Sequence, residues 1–168
     1  LMDADASRAG FKEGEQVTVK DMLYGLILPS GADAADGIAE CISGSEDEFV
    51  KLMNKKCEEL GLHDTHFANT SGLHSEQNYS TAADMAVIMR DAMQNETCRE
   101  VLSTYKYTTA HTEQNPEGIE LESTMFSRMY GTEVEGVSIF AGKTGYTVEA
   151  GNCLVSCAEK DGKEYIAV

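Results

Sequence analysis

Residues 137–168 read VSIFAGKTGYTVEAGNCLVSCAEKDGKEYIAV, and this stretch decides the fold class. Apolar side chains recur at every second position, at Val137, Ile139 and Ala141 and again at Cys153, Val155 and Cys157, the period of a strand with one buried face. The second run leads into Asp161-Gly162, a pair that tolerates the positive φ values of a two-residue hairpin, so Tyr165 to Val168 should pair back antiparallel. Lys143-Thr144-Gly145 then stands at the end of one strand, followed by Tyr146-Thr147 and the next. Cys153 and Cys157 fall on one face but about 13 Å apart along a strand, too far for a disulfide.

Working outward from this meander, Tyr105, Tyr107 and Thr109 alternate, as do Ile119 and Leu121, which adds two short strands. Everything before them has a helical period. Thr18 and Asp21 have capping-box spacing ahead of Met22, Leu23, Leu26 and Ile27, predicting a helix over 19–28 that Pro29 stops. Asp33 is placed to cap a second helix with Ala34, Ala35, Ile38, Ala39 and Ile42 inward, ended by Gly44. Ser45 and Glu48 open a third, with Phe49, Leu52, Met53, Cys57 and Leu60 inward and Gly61 as its stop. His63 to Ser80 has no sustained period but is rich in turn residues, and is expected as a long loop of the kind that carries function. Thr81 with Asp84 caps a fourth helix with Met85, Ala86, Met89, Ala92 and Met93 inward, and a further turn runs from Thr97 to Leu102. The fold class is therefore α/β in the α+β sense: a helical subdomain plus an antiparallel sheet.

Composition narrows the function. With 13 Lys+Arg against 29 Asp+Glu, the net charge of −16 repels phosphate backbones, so nucleic acid is not an expected partner. No apolar run approaches the ~20 residues of a membrane span. Five cysteines without a CxxC pair argue against a disulfide framework or a zinc knuckle. His63 and His66 follow a helix-ending glycine without a further ligand set, so no metal is expected there, and nothing calls for a cofactor. His74 is at most a rim residue of a cleft. The acidic residues are spread as a solvated surface with no catalytic pair.

Chemistry concentrates in two motifs. Lys143-Thr144-Gly145 alone is a common tripeptide, and Ser30 alone would be a turn residue. Their joint context is more specific, because penicillin-recognising serine enzymes carry KTG on a strand beside the active site together with SxxK and SxN motifs. Pro29-Ser30-Gly31-Ala32-Asp33-Ala34-Ala35, between two helices, stands where SxN should stand. Over nearly its whole length the chain resembles the D-alanyl-D-alanine carboxypeptidases of the low-molecular-weight penicillin-binding class. The resemblance runs through Lys12-Glu13-Gly14-Glu15, Phe49 to Asn54, Leu60-Gly61-Leu62, Thr65-His66-Phe67, Gly72-Leu73-His74 and Tyr79 to Ala86. It ends on Gly142 to Thr147 with Ala150-Gly151.

The resemblance implies a β-lactamase/transpeptidase-like fold, incomplete at both ends, and residues 1–168 as a partial catalytic domain of a secreted or cell-envelope enzyme. It implies acyl transfer on peptidoglycan stem peptides ending in D-Ala-D-Ala, with β-lactams as mimics that trap the acyl-enzyme. By the same resemblance Ser30 relays a proton and Lys143 supplies positive potential for the substrate carboxylate. Thr144 would bond that carboxylate, Gly145 would admit the ligand close to the strand, and the Tyr146 amide would be an oxyanion donor, with Thr147 completing the substrate-binding run.

Two departures qualify this. No SxxK precedes Ser30, and the literal match at Ser103-Thr104-Tyr105-Lys106 is rejected because it lies between the other two motifs at a helix-to-strand junction. Ala32 occupies the position that is usually Asn, removing an amide that would contact substrate. A serine β-lactamase is one alternative reading, although the long-loop signature favours the carboxypeptidase. A catalytically inactive peptidoglycan-binding domain is the other.

Overall fold

The computed structural model describes residues 6–129 and 134–168. Five helices come first: α1 (Val19–Ile27), α2 (Ala32–Ser43), α3 (Glu46–Glu59), α4 (Ala82–Gln94) and α5 (Glu96–Leu102). A small antiparallel pair follows, β1 (Lys106–Thr108) with β2 (Glu120–Glu122), then a 3-10 turn at Phe126–Arg128. The chain closes with β3 (Ser138–Thr147), β4 (Gly151–Lys160) and β5 (Lys163–Ala167), an antiparallel sheet in the order β3-β4-β5.

The hairpin is built as its sequence demands. Lys160 pairs with Lys163, and Asp161 and Gly162 have φ of 51° and 72°, the signature of a tight two-residue turn. β3 is longer than its alternation suggests and carries Lys143-Thr144-Gly145 within the strand, because those residues keep pairing with Val155, Leu154 and Cys153. A bulge between Ile139 and Ala141 puts Phe140 out of register.

Two apolar clusters hold the layers together. Ala141, Val155 and Cys157 on one face of the sheet pack against Met89, Met93 and Leu102 of α4 and α5. Tyr24 and Leu28 at the end of α1 pack with Ala9, Val101 and Leu121. Leu28 and Leu121 are each 1% exposed, and burial of that kind contributes roughly 2–3 kcal/mol per side chain. Cys57 and Cys157 are buried free thiols, whereas Cys153 is exposed although the strand period places it on the face of Cys157.

Four local readings need correction. Gly31, not Asp33, caps α2, which starts at Ala32. Asp33 instead turns its carboxylate outward to the preceding segment, accepting the amides of Ala9 and Gly10 at 2.8 Å and of Phe11 at 3.1 Å. Ile42 and Leu52, expected inward, are 61% and 46% exposed, Ile42 because it lies in the last turn of α2 and Leu52 because it falls to the side of the stripe marked by Phe49, Met53 and Cys57. α5 begins one residue before Thr97 because Asn95 caps it through Cys98 N. At Thr81–Asp84 the box is half made: Thr81 caps Asp84 N, while Asp84 receives the Thr65 hydroxyl at 2.7 Å and so anchors the long loop.

The Thr18–Asp21 box is complete, and Asp21 does more than cap. Its carboxylate is 1% exposed and accepts from Thr18 Oγ1 at 2.6 Å, Tyr107 Oη at 2.8 Å and Ala110 N at 3.2 Å. Tyr107 also stacks on Tyr24 with ring centroids 3.8 Å apart. The small sheet is thereby fastened to α1, immediately upstream of Ser30.

Candidate active site

The turn after α1 is strained at Ser30, one of the candidate residues. Ser30 has φ 64°, a left-handed conformation that costs a non-glycine residue roughly 1–2 kcal/mol. The surroundings enforce it: Gly31 N donates to Gly25 O at 2.9 Å, and a Cβ on Gly31 would lie 2.7 Å from that carbonyl and 2.8 Å from Ala9 Cβ. Only glycine permits this approach, and it turns the Ser30 hydroxyl toward β3.

From β3, Lys143 reaches back. Its ammonium donates to Ser30 Oγ and, at 2.7 Å, to the Thr144 carbonyl. Lys143 shares a face with Ala141, the one that packs on the helices, so its charge is withdrawn from water, and burial pulls its pKa down to about 8. Among the described residues no carboxylate bonds it, which leaves a desolvated cation available to an incoming anion.

Gly142, Thr144 and Tyr146 fall on the opposite face. Residues 123–125 cover it closely: a Cβ on Gly142 would lie 2.5 Å from Met125 Sδ and 2.5 Å from Val155 O. Thr144 Oγ1 is 2.6 Å from Thr124 Oγ1. Because β3 pairs only with β4 among the described residues, its other edge is open, and side chains from both faces border the same space.

That space is a cleft of about 540 Å³. Ser30, Gly31 and Ala32 form one wall and Lys143, Thr144, Gly145 and Tyr146 the facing wall, with Thr70 to Leu73 of the long loop at the rim. The rim is built rather than loose. Glu46 accepts from Thr70 N and Oγ1 at 2.8 and 2.9 Å, Asn69 Oδ1 from Gly72 N at 2.8 Å, and Leu73 O from Asn78 Nδ2 at 2.8 Å. His74 Nδ1 lies 3.8 Å from Glu149 Oε2, bringing this loop against the β3–β4 turn.

Six of the seven residues singled out from sequence thus border one cleft. Thr147 does not: its hydroxyl accepts Ala150 N at 3.0 Å and closes the β3–β4 turn. Ala32 is 5% exposed, and its amide donates to Ser7 O at 2.9 Å. Ser103 and Lys106 are elsewhere, with Lys106 paired to Glu122 at 3.0 Å on the small sheet. Thr124 and Arg128 also line the cleft and went unnoticed in the sequence, where neither sits in a motif or a periodic run.

A helix-backed antiparallel sheet whose edge strand presents Lys-Thr-Gly to a serine on an interhelical turn is the arrangement of the penicillin-recognising serine enzymes. The D-alanyl-D-alanine carboxypeptidase family model matches residues 2–168, and the chain belongs to that family. It is 42% identical over 163 residues to a D-alanyl-D-alanine carboxypeptidase of Bacillus subtilis, covering 96% of this chain and 40% of that one. It is 38% identical to a Streptomyces D-alanyl-D-alanine carboxypeptidase, over 95% of this chain and 56% of the relative. Among solved structures it superposes on a Streptomyces DD-transpeptidase with a TM-score of 0.82 at 35% identity, covering 97% of this chain and 64% of that one. A D-alanyl-D-alanine carboxypeptidase from Mycobacterium tuberculosis gives a TM-score of 0.85 at 29% identity, with 98% and 60% covered. The chain therefore spans roughly two fifths to two thirds of the length of these relatives.

Proposed function

We propose that this chain is part of a serine-type D-alanyl-D-alanine carboxypeptidase that removes the terminal D-alanine from peptidoglycan stem peptides and is acylated by β-lactams. The observation that carries the reading is the Lys143–Ser30 contact inside a cleft whose facing wall is Lys-Thr-Gly. In this reading the nucleophilic serine of an SxxK motif lies outside residues 1–168. It attacks the carbonyl of the penultimate D-alanine, the C–N bond breaks, and the leaving amine takes up a proton. Water then hydrolyses the ester.

The residues here would do the surrounding work. Lys143, held as a desolvated cation, attracts the terminal carboxylate more strongly than an exposed lysine would. Ser30 stands between Lys143 and the reacting nitrogen and passes a proton, a step suited to a hydroxyl hydrogen-bonded to an amine whose pKa is near 8. The Thr144 hydroxyl bonds the carboxylate. Gly145 has only Cys153 Cβ, at 3.6 Å, near a would-be Cβ, so the strand surface beside it admits a ligand. The Tyr146 amide supplies an oxyanion donor. Such an enzyme works where its polymer substrate is, outside the cytoplasm.

The decisive experiment uses the complete protein that carries this chain. It should release D-alanine from a peptide ending in D-Ala-D-Ala and take up one penicillin per molecule by intact mass. If neither event occurs, the reading gives way to a peptidoglycan-binding domain, for which Ala32 and the absence of an SxxK serine before Ser30 are the motivating features. Fast turnover of penicillin with no D-alanine release would assign a β-lactamase.

A further inference from the structure

Segment 123–125 is held from several sides, and Thr124 is the residue this clamping presents to the cleft. Ser123 N donates to Tyr105 O at 2.8 Å, Thr124 N donates to Leu28 O at 3.0 Å, and Met125 is 2% exposed behind Gly142. Leu28 is two residues before Ser30, so the Thr124 backbone is tied to the serine turn while its hydroxyl touches Thr144 at 2.6 Å. One threonine thus joins both walls of the site.

A threonine hydroxyl has one proton and accepts through its lone pairs. In the Thr124–Thr144 pair one proton is consumed between the two oxygens and one remains. If Thr144 donates to Thr124, it has no proton left for a carboxylate. If Thr124 donates to Thr144, the Thr144 proton is free to point into the cleft. The direction of this bond therefore decides whether the Thr144 proton is turned into the cleft or away from it, and the Thr124 backbone bond to Leu28 O fixes the place of the oxygen that Thr144 meets.

We propose that Thr124 is a positioning residue for carboxylate recognition, donating to Thr144 Oγ1 so that the Thr144 proton is aimed at the terminal carboxylate of the substrate. The inference rests on the carboxypeptidase reading for the identity of the ligand. It adds to it a residue outside both motifs, and it makes the two threonines one energetic unit.

A double-mutant cycle on the complete protein tests this, using Thr124→Val, Thr144→Val and the double variant, with Thr124→Ser as the conservative control. Two quantities are read: kcat/KM for D-alanine release from a diacetylated Lys-D-Ala-D-Ala peptide, and the Kd of that peptide by calorimetry at 4 °C. Thr124→Val should lower kcat/KM about tenfold, the scale of one lost hydrogen bond, mainly through KM. Thr124→Ser should recover most of it, and Thr124→Val should add under twofold in the Thr144→Val background. Losses that multiply, a Thr124→Ser variant as impaired as Thr124→Val, or a Thr124→Val variant equal to wild type would each overturn the proposal. A wild-type protein that binds the peptide without releasing D-alanine would overturn the carboxypeptidase reading alone, and the Kd cycle would still decide the role of Thr124. A wild type that neither binds nor cleaves the peptide would overturn both.

Discussion

The ammonium of Lys143 donates to the hydroxyl of Ser30 across 113 residues of sequence, joining the middle of an edge strand to a strained turn between two helices. Each partner is costly alone. A lysine is withdrawn from water and a serine sits in a left-handed conformation, and the contact between them is what the surrounding fold is arranged to provide.

The first consequence is a pH dependence with opposite signs for activity and stability. Burial disfavours the ammonium, so Lys143 loses its proton near pH 8 in the folded protein, whereas in the unfolded chain it holds it to about 10.5. Between these values the unfolded chain binds more protons, and the Lys143 contribution to stability rises with pH. The cation proposed to hold the substrate carboxylate disappears over the same interval. kcat/KM of the complete enzyme should therefore fall on the alkaline side with a midpoint near 8, with no matching drop in thermal midpoint. In Lys143→Arg, which stays charged, that limb should vanish; an unchanged limb would assign it to another group.

A polypeptide of residues 1–168 alone should form no covalent penicillin adduct. The only SxxK by letter is Ser103 to Lys106, and there Lys106 is engaged by Glu122 and Glu120 on the small sheet while Ser103 closes α5. Intact-mass measurement after incubation with penicillin should show the unmodified mass. A stoichiometric adduct mapping to Ser103 would refute the site assignment.

Ala32→Asn should raise the acylation rate of the complete protein. Ala32 borders the cleft one residue beyond Gly31, and its backbone is already fixed by the bond to Ser7 O. An amide added there has the 540 Å³ cleft before it and a substrate backbone to bond, an interaction worth roughly 1 kcal/mol or about fivefold in rate. Stopped-flow acylation by a chromogenic β-lactam measures it. A fall in rate would mean that the wall has no use for the amide.

Asp21→Ala should destabilise the fold by roughly 3 kcal/mol, since it strips the Thr18 and Tyr107 hydroxyls and the Ala110 amide of their buried acceptor. Burial pushes the Asp21 carboxyl up, but the hydrogen bonds from Thr18, Tyr107 and Ala110 outweigh it and leave the group below the ordinary value of 3.8. Its contribution is thus complete above about pH 4 and is lost as pH falls through the lowered folded value. Denaturant titrations at pH 7 and pH 3 should show the wild type approaching the variant only in acid.

Gly142→Ala should impair both stability and function, because the new methyl meets a backbone carbonyl as well as Met125 Sδ at 2.5 Å. Overpacking of this kind costs roughly 1–3 kcal/mol, and relief requires β3 to move away from segment 123–125, parting Thr144 from Thr124. A thermal midpoint equal to wild type would show that the segment yields freely.

Much of the architecture was legible without coordinates, for local reasons. The Thr18–Asp21 box, the Asp161-Gly162 turn and the glycine stops at Gly44 and Gly61 depend on residues within a few positions of one another, and φ values of 78° and 74° at those glycines follow from that chemistry. The pairing of Ser30 with Lys143 in one cleft was legible only through the family resemblance. What only the tertiary structure decided are the long-range bonds. Asp33 reads as a helix cap, yet it holds the amides of residues 9–11, because an acceptor goes to the unpaired donors that packing brings nearest. Thr147 reads as one more residue of a binding strand, yet the strand's turn claims its hydroxyl. Thr124 belongs to no motif and no period, and its importance comes from contacts 20 residues forward to Thr144 and far back to Leu28. Such partners leave no mark on neighbouring sequence, since a hydrogen bond between distant segments constrains distance in space and not spacing along the chain.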